Sequence, residues 1–161
     1  MMSMHTYFQR FVHHVIEYCK KANIAIVQKH DTESLEHSLY TYSSYVQLSG
    51  AFQGIALISL EPGVAKAIVK HYITFKFHEG DWALFATDIT SELVNIFAGN
   101  SLDIRENDDI QLGTPCHTSS RQVISTVAVP HALTLHTEYG ALMCMYIPLQ
   151  SNLNPDSLFQ A

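Results

Sequence analysis

Positive charge is scarce in this sequence. Nine lysines and arginines are scattered through 161 residues against fifteen aspartates and glutamates, which leaves a formal net charge of −6. A phosphate backbone or an anionic bilayer demands clustered cations, so neither nucleic acid nor a membrane surface is an expected partner. Long hydrophobic runs are also lacking. The most apolar stretch, Gly140 to Leu149, is far too short to span a bilayer as a helix. The opening residues Met1-Met2-Ser3-Met4-His5 lack the basic and then apolar pattern of a signal peptide. Cysteine is sparse: Cys19, Cys116 and Cys144 cannot all pair within the chain and none sits in a CxxC, which points to a reducing compartment. Together these absences predict a cytoplasmic protein. Chemical motifs are missing too. No HxH, HxxxH or HExxH organises the ten histidines, and no GxSxG, GxGxxG or GxxxxGK[ST] is present. The adjacent His13 and His14 point about 100° apart on a helix and make a poor chelate.

What is present is apolar. Hydrophobic residues make up 47% of the chain and charged residues 15%, so it folds around a core without help from metal or disulfide. Phe8, Phe11, Val12, Val15, Ile16 and Cys19 recur at helical spacing, and Lys20 and Lys21 suit the negative end of that helix. Ala25–Lys29 reads as a short strand. Tyr42–Leu48 and Ile55–Leu60 read as an antiparallel pair around Gly50 and Gly54. Pro62 starts a second helix that buries Val64, Ala65, Ile68, Val69 and Tyr72. Asp81 caps a third, whose stripe is Trp82, Phe85, Ala86, Ile89, Leu93, Ile96 and Phe97 and whose stop is Gly99-Asn100. An acidic loop, Asp103 to Asp109, follows. Ile110–Leu112, Gln122–Val129, Leu133–Thr137 and Ala141–Ile147 are the remaining strands, the last two joined by Glu138-Tyr139-Gly140. Met143, Cys144 and Met145 pack in or against that sheet. The two hairpins echo one another, as a duplicated helix-plus-hairpin unit does. The class is α+β, one domain over residues 1–150, with 151–161 a polar, frayed tail.

The third helix carries the chemistry. At about 100° per residue, Asp88, Glu92, Asn95 and Gly99 share a sector roughly 60° wide, about 110° from the centre of the apolar face. Glu92 and Asn95, three apart, point the same way. Asparagine is a poor mid-helix residue, because its amide competes for backbone hydrogen bonds.

The run Asp88-Ile-Thr-Ser-Glu92-Leu-Val-Asn95-Ile-Phe-Ala-Gly99-Asn100 resembles the signature helix of the CheC/CheX/FliY family of chemotaxis phosphatases, D-x-x-x-E-x-x-N-x-x-x-G-N. The resemblance extends, in order, over about Ala25 to Leu149. Ser49-Gly50-Ala-Phe-Gln-Gly54-Ile-Ala-Leu-Ile-Ser-Leu60 and the following helix are similar to the family's glycine-punctuated hairpin and first helix. Leu112-Gly-Thr-Pro115 resembles its proline segment, and Leu133–Leu149 its closing hairpin. The family's glycine after that proline is replaced by Cys116-His117-Thr118-Ser119-Ser120, so the local turn differs. The Pro62–Tyr72 helix offers Glu61 and Lys66 but no asparagine, which resembles the single-site CheX-like members.

The resemblance implies a fold, an antiparallel sheet covered by long helices, and a homodimer formed by pairing sheets. It implies a phosphatase for the aspartyl phosphate of a CheY-like response regulator. Asn95 would hold the attacking water and Glu92 would pair with the partner's active-site lysine, while Asp88, Ser91 and Gly99 would touch the partner. The chain needs no cofactor of its own, since Mg2+ comes with the phosphorylated receiver. A non-catalytic module that binds a receiver or a flagellar-switch component shares every feature except the Asn95 chemistry. A small-ligand sensor on the same fold would need an enclosed apolar cavity elsewhere. The phosphatase reading expects Glu92 and Asn95 exposed together and free of partners within the chain.

Overall fold

A computed structural model describes residues 2–31, 36–51, 53–102, 109–124, 131–150 and 154–160. The first amphipathic stripe forms α1 (Met4–Lys21). Ser3 caps it, its hydroxyl accepting the Thr6 N–H at 3.1 Å, which satisfies one of the donors that a helix start leaves unpaired. Tyr7, Phe8, Phe11, Val15 and Cys19 are its buried side. The Tyr7 hydroxyl reaches across to donate to the Ala98 carbonyl at 2.9 Å.

The remaining elements, in chain order, are β1 (Ile26–Asp31), β2 (Glu36–Ser38), β3 (Tyr42–Ser49), β4 (Gly54–Leu60), α2 (Pro62–Tyr72), a turn of 3-10 helix (Glu79–Asp81), α3 (Trp82–Asn100), β5 (Gln111–Leu112), β6 (Cys116–Thr118), β7 (Gln122–Ile124), β8 (His131–Thr137), β9 (Gly140–Pro148), a second 3-10 turn (Pro155–Leu158) and β10 (Phe159–Gln160). The main sheet runs β1-β8-β9-β4-β3-β5, with β6 also on β3. Both expected hairpins form, and their second strands meet in the middle, from Gly54 opposite Pro148 to Leu60 opposite Leu142. The echo in the sequence thus becomes two like hairpins placed back to back. The tight turn before β9 works because Gly140, at φ 130°, takes a conformation that L side chains rarely adopt.

Each face of this sheet has its own cover. Val46, Leu48, Ala56, Ile58, Leu60, Leu135, Leu142, Cys144 and Tyr146 meet α1, α2 and α3 in the larger core. The alternate residues Tyr45, Ile55, Leu57, Met143, Met145 and Ile147 form a second core with Leu39, Val123 and Leu158. That second cover is a three-stranded sheet, β10-β7-β2. Burial on both faces explains why β4 and β9 read as near-continuous apolar runs rather than alternating ones.

Several expectations need correction. Residues 154–160 are not frayed: Leu158 is buried, the Phe159 ring stacks on Tyr45 at 4.9 Å between centroids, and the Tyr45 hydroxyl donates to Asp156 at 2.9 Å. The helix ends at Asn100, with Gly99 in its last turn and Ser101 as its cap, the Ser101 hydroxyl donating to the Phe97 carbonyl at 2.6 Å. Ile96, placed on the apolar stripe, is 40% exposed. Cys116–Thr118 is an extra edge strand in the region where the family's glycine is missing. Of the strand expected over Gln122–Val129, Gln122–Ile124 forms, and 125–130 lie outside the described residues. So does the acidic loop up to residue 108. Among the described residues, no helix is long and apolar enough to cross a membrane.

Candidate functional site

The site is built on α3, which packs on the sheet beside α2. Its inward side is Ala86, Ile89, Leu93, Val94, Phe97 and Ala98. Thr90 is buried there as well, its hydroxyl satisfied by the Ala86 carbonyl at 2.6 Å. This packing fixes the rotation of the helix and so decides what the other side presents.

Asp88 and Glu92 are exposed one turn apart, and Asn95 is half-buried on the same sector with half-buried Gly99 beyond it. Leu84 continues that sector at 74% exposure. The expected shared face therefore exists. Ser91 is the exception. It turns toward the sheet, where its hydroxyl lies 2.9 Å from that of Ser44 on β3, and Ser44 is fully buried. Gly99 sits in regular helix. A Cβ there would meet only Leu112 Cδ1, at 3.5 Å, an ordinary contact.

The helix contains no cation, and neither carboxylate has an ion-pair partner among the described residues. The Asn95 amide makes no hydrogen bond among them either. Tyr72, the last residue of α2, lies near Glu92, and interaction with that carboxylate together with partial burial pushes the Tyr72 phenol up to about 12. Sequence reasoning placed Tyr72 only on the buried face of its helix. Its tip was invisible, because the interaction joins residues twenty positions apart.

A partly exposed carboxamide beside an exposed carboxylate has a limited chemical repertoire. The amide can orient a water through its oxygen and NH2 group but is neither base nor nucleophile at neutral pH. The carboxylate offers acceptor sites for an ammonium group. Among the described residues no group of three or more His, Cys, Asp or Glu is placed to hold a metal ion, and the His13 and His14 rings are stacked edge-on to one another. Open clefts of about 530 and 570 Å³ lie away from this face, the first beside α2 and the second beside β1.

No protein-family model matches the sequence, and no curated protein matches it significantly. Solved structures do resemble the chain. The chemotaxis protein CheX of Desulfovibrio desulfuricans is 17% identical over 89% of this chain and 99% of its own, with a TM-score of 0.68. A CheC-like superfamily protein of Shewanella sp. PV-4 is 15% identical over 90% and 97%, with a TM-score of 0.67. The CheX–CheY–BeF3–Mg2+ complex of Borrelia burgdorferi matches at 13% identity over 90% and 98%, with a TM-score of 0.61. A helix-covered antiparallel sheet with one polar helix face left outward thus defines an α+β chemotaxis-protein type of fold. More closely, the chain has the CheX/CheC-like fold that the resemblance in sequence predicts. The likeness is one of fold, and the roles of individual residues rest on the geometry of α3.

Proposed function

We propose that the protein is a phosphatase for the aspartyl phosphate of a CheY-like response regulator, and that Asn95 and Glu92 carry the activity. The observation behind this reading is the shared outward face of α3, on which a mid-helix carboxamide without a hydrogen-bond partner among the described residues stands one turn from an exposed carboxylate. Hydrolysis of an acyl phosphate needs a water in line with the leaving carboxylate and neutralisation of the phosphoryl charge. Asn95 supplies the alignment. Glu92 supplies an anchor for a lysine ammonium of the receiver. Asp88 and Gly99 lie on the face that the receiver covers. Mg2+ and the phosphoryl group belong to the partner. Catalysis is by positioning, which is worth orders of magnitude when the geometry is tight.

The CheX–CheY complex with BeF3 and Mg2+ supports the choice of partner, since beryllium trifluoride has the shape and charge of a phosphoryl group. A receiver that works in the cytoplasm places this protein there too. A homodimer belongs to the same reading. The edge strand β1 pairs only with β8 among the described residues and is largely exposed, with Val27 at 70%. Its other edge suits a strand from a second copy.

The test is the decay of a phosphorylated receiver in the presence of the wild-type chain or Asn95→Ala. Faster phosphate loss with the wild type only supports the reading. Binding of the receiver without faster loss by the wild type favours the non-catalytic module instead, and equal rates for the two proteins refute the role of Asn95.

A further inference from the structure

We propose that the exposed apolar side chains at the two ends of the α3 face, Leu84 and Ile96, together with Phe75 of the connection from α2 to α3, form the docking surface on which the receiver seats around Glu92. The proposal rests on the reading of Asn95 and Glu92 as the groups that meet a phosphorylated receiver.

Leu84, Asp88, Glu92 and Ile96 follow one another at intervals of four residues and form one ridge along α3. All four are exposed, Leu84 by 74% and Ile96 by 40%. Apolar groups thus stand at both ends of the ridge, and carboxylates fill its middle. Phe75, 61% exposed, extends the Leu84 end. Its ring meets that of Phe85 edge-on at 6.0 Å between centroids, and Phe77 meets the same ring at 5.8 Å. Phe77 and Phe85 pack against the larger core, so Phe75 is an aromatic group mounted on a firm base. Half of the large apolar side chains exposed among the described residues lie on this ridge and its connection. Scattered singly, such residues need no explanation, whereas gathered beside polar groups they mark an interaction surface.

Charge decides the occupant. The helix carries no cation, and neither Asp88 nor Glu92 has an ion-pair partner among the described residues. The complementary surface therefore presents an ammonium group flanked by apolar ones. A receiver with a lysine beside its phosphoryl group answers to that description. Two copies of this chain paired through α3 would set carboxylates against carboxylates, and an anionic bilayer would be repelled. The apolar ends also serve the middle. Once covered, they keep water from the contact between the carboxylate and the ammonium, where the attraction then strengthens.

The experiment uses the full chain and a CheY-type receiver, phosphorylated with acetyl phosphate for turnover and held in its BeF3–Mg2+ form for binding. Leu84→Ser and Ile96→Thr shorten exposed side chains, so the fold is retained. Together they are expected to raise Kd and KM for the receiver about tenfold, with kcat within about twofold because Asn95 and Glu92 are untouched. Phe75→Ser is expected to raise both about fivefold. Leu84→Met keeps the apolar bulk and should bind as wild type does. Tyr139→Ser, at a 49% exposed position on the turn between β8 and β9, removes an apolar group elsewhere and should change nothing. Unchanged Kd and KM in the double variant overturn the proposal, and so does an equal loss in Tyr139→Ser. A wild-type dimer that the double variant turns into monomers in sedimentation assigns the face to a second copy and overturns it as well. If Asn95→Ala and Glu92→Ala lose no activity while the double variant still binds the receiver weakly, the catalytic reading falls and the docking surface stands. If those two variants are impaired and the double variant is not, only the docking surface is lost. If the wild type binds no receiver, both fall.

Discussion

The helices α2 and α3 lie on the same side of the sheet, and both bury one apolar side against it. They differ in what their polar groups do. On α2 these groups serve the protein itself. Glu61, at its cap, accepts the Ala141 N–H at 2.7 Å and so ties the helix start to the β8–β9 turn. Lys66 and Lys70 both reach Glu79. His71 Nδ1 lies 3.3 Å from the Tyr18 hydroxyl on α1. On α3, Thr90 and Ser91 are likewise satisfied internally, yet Asp88 and Asn95 have no hydrogen-bond or ion-pair partner among the described residues. Two helices of similar setting therefore divide the work. The first binds the fold together and the second leaves polar groups turned outward. Polar residues matter for function when the fold leaves them available.

Substitutions on the two helices should separate stability from activity. The largest effect is expected from Asn95→Ala. Losing the group proposed to align the water should slow stimulated phosphate loss about 100-fold, while urea unfolding shifts by less than about 0.5 kcal/mol because the amide has no hydrogen-bond partner to lose among the described residues. Gly63→Ala on α2 should do the reverse. The added Cβ would fall 2.1 Å from the Tyr139 carbonyl oxygen, and relieving that overlap should cost about 2 kcal/mol of unfolding free energy with turnover retained. Glu92→Ala should weaken receiver-dependent phosphate loss about tenfold at limiting receiver, the loss of one charge-assisted contact. Glu61→Ala removes an internal hydrogen bond and should cost about 1 kcal/mol in the same unfolding assay, with receiver binding unchanged. Glu79→Gln breaks two exposed ion pairs and should alter neither readout measurably. An active Asn95→Ala, or an inactive but stable Gly63→Ala, would break the division between the helices.

Much of this division was legible in the residues alone. The 3.6-residue period placed α2 over Pro62–Tyr72, as observed. It also set Asp88, Glu92, Asn95 and Gly99 on one sector, since helix geometry fixes angles without reference to neighbours. Ser91 shows where that reasoning stops. It sits at the border of the sector, and only the nearness of Ser44 on β3 decides that it turns inward. Ile96 fails in the opposite sense, because an apolar side chain does not choose exposure and the neighbours leave it uncovered. The last residues of the chain misled for another reason. β10 has two residues, too few for any period to show.

Local order and the shared sector of the candidate groups on α3 were thus determined by the sequence itself, through periodicities, caps and turns that act within a few residues. The tertiary structure decided which polar groups remain available. That choice includes the pairing of Ser91 with Ser44 and the second core beneath the sheet. Such contacts join positions far apart in the chain, and no local pattern encodes them, because their energies depend on distances that exist only after the elements have packed.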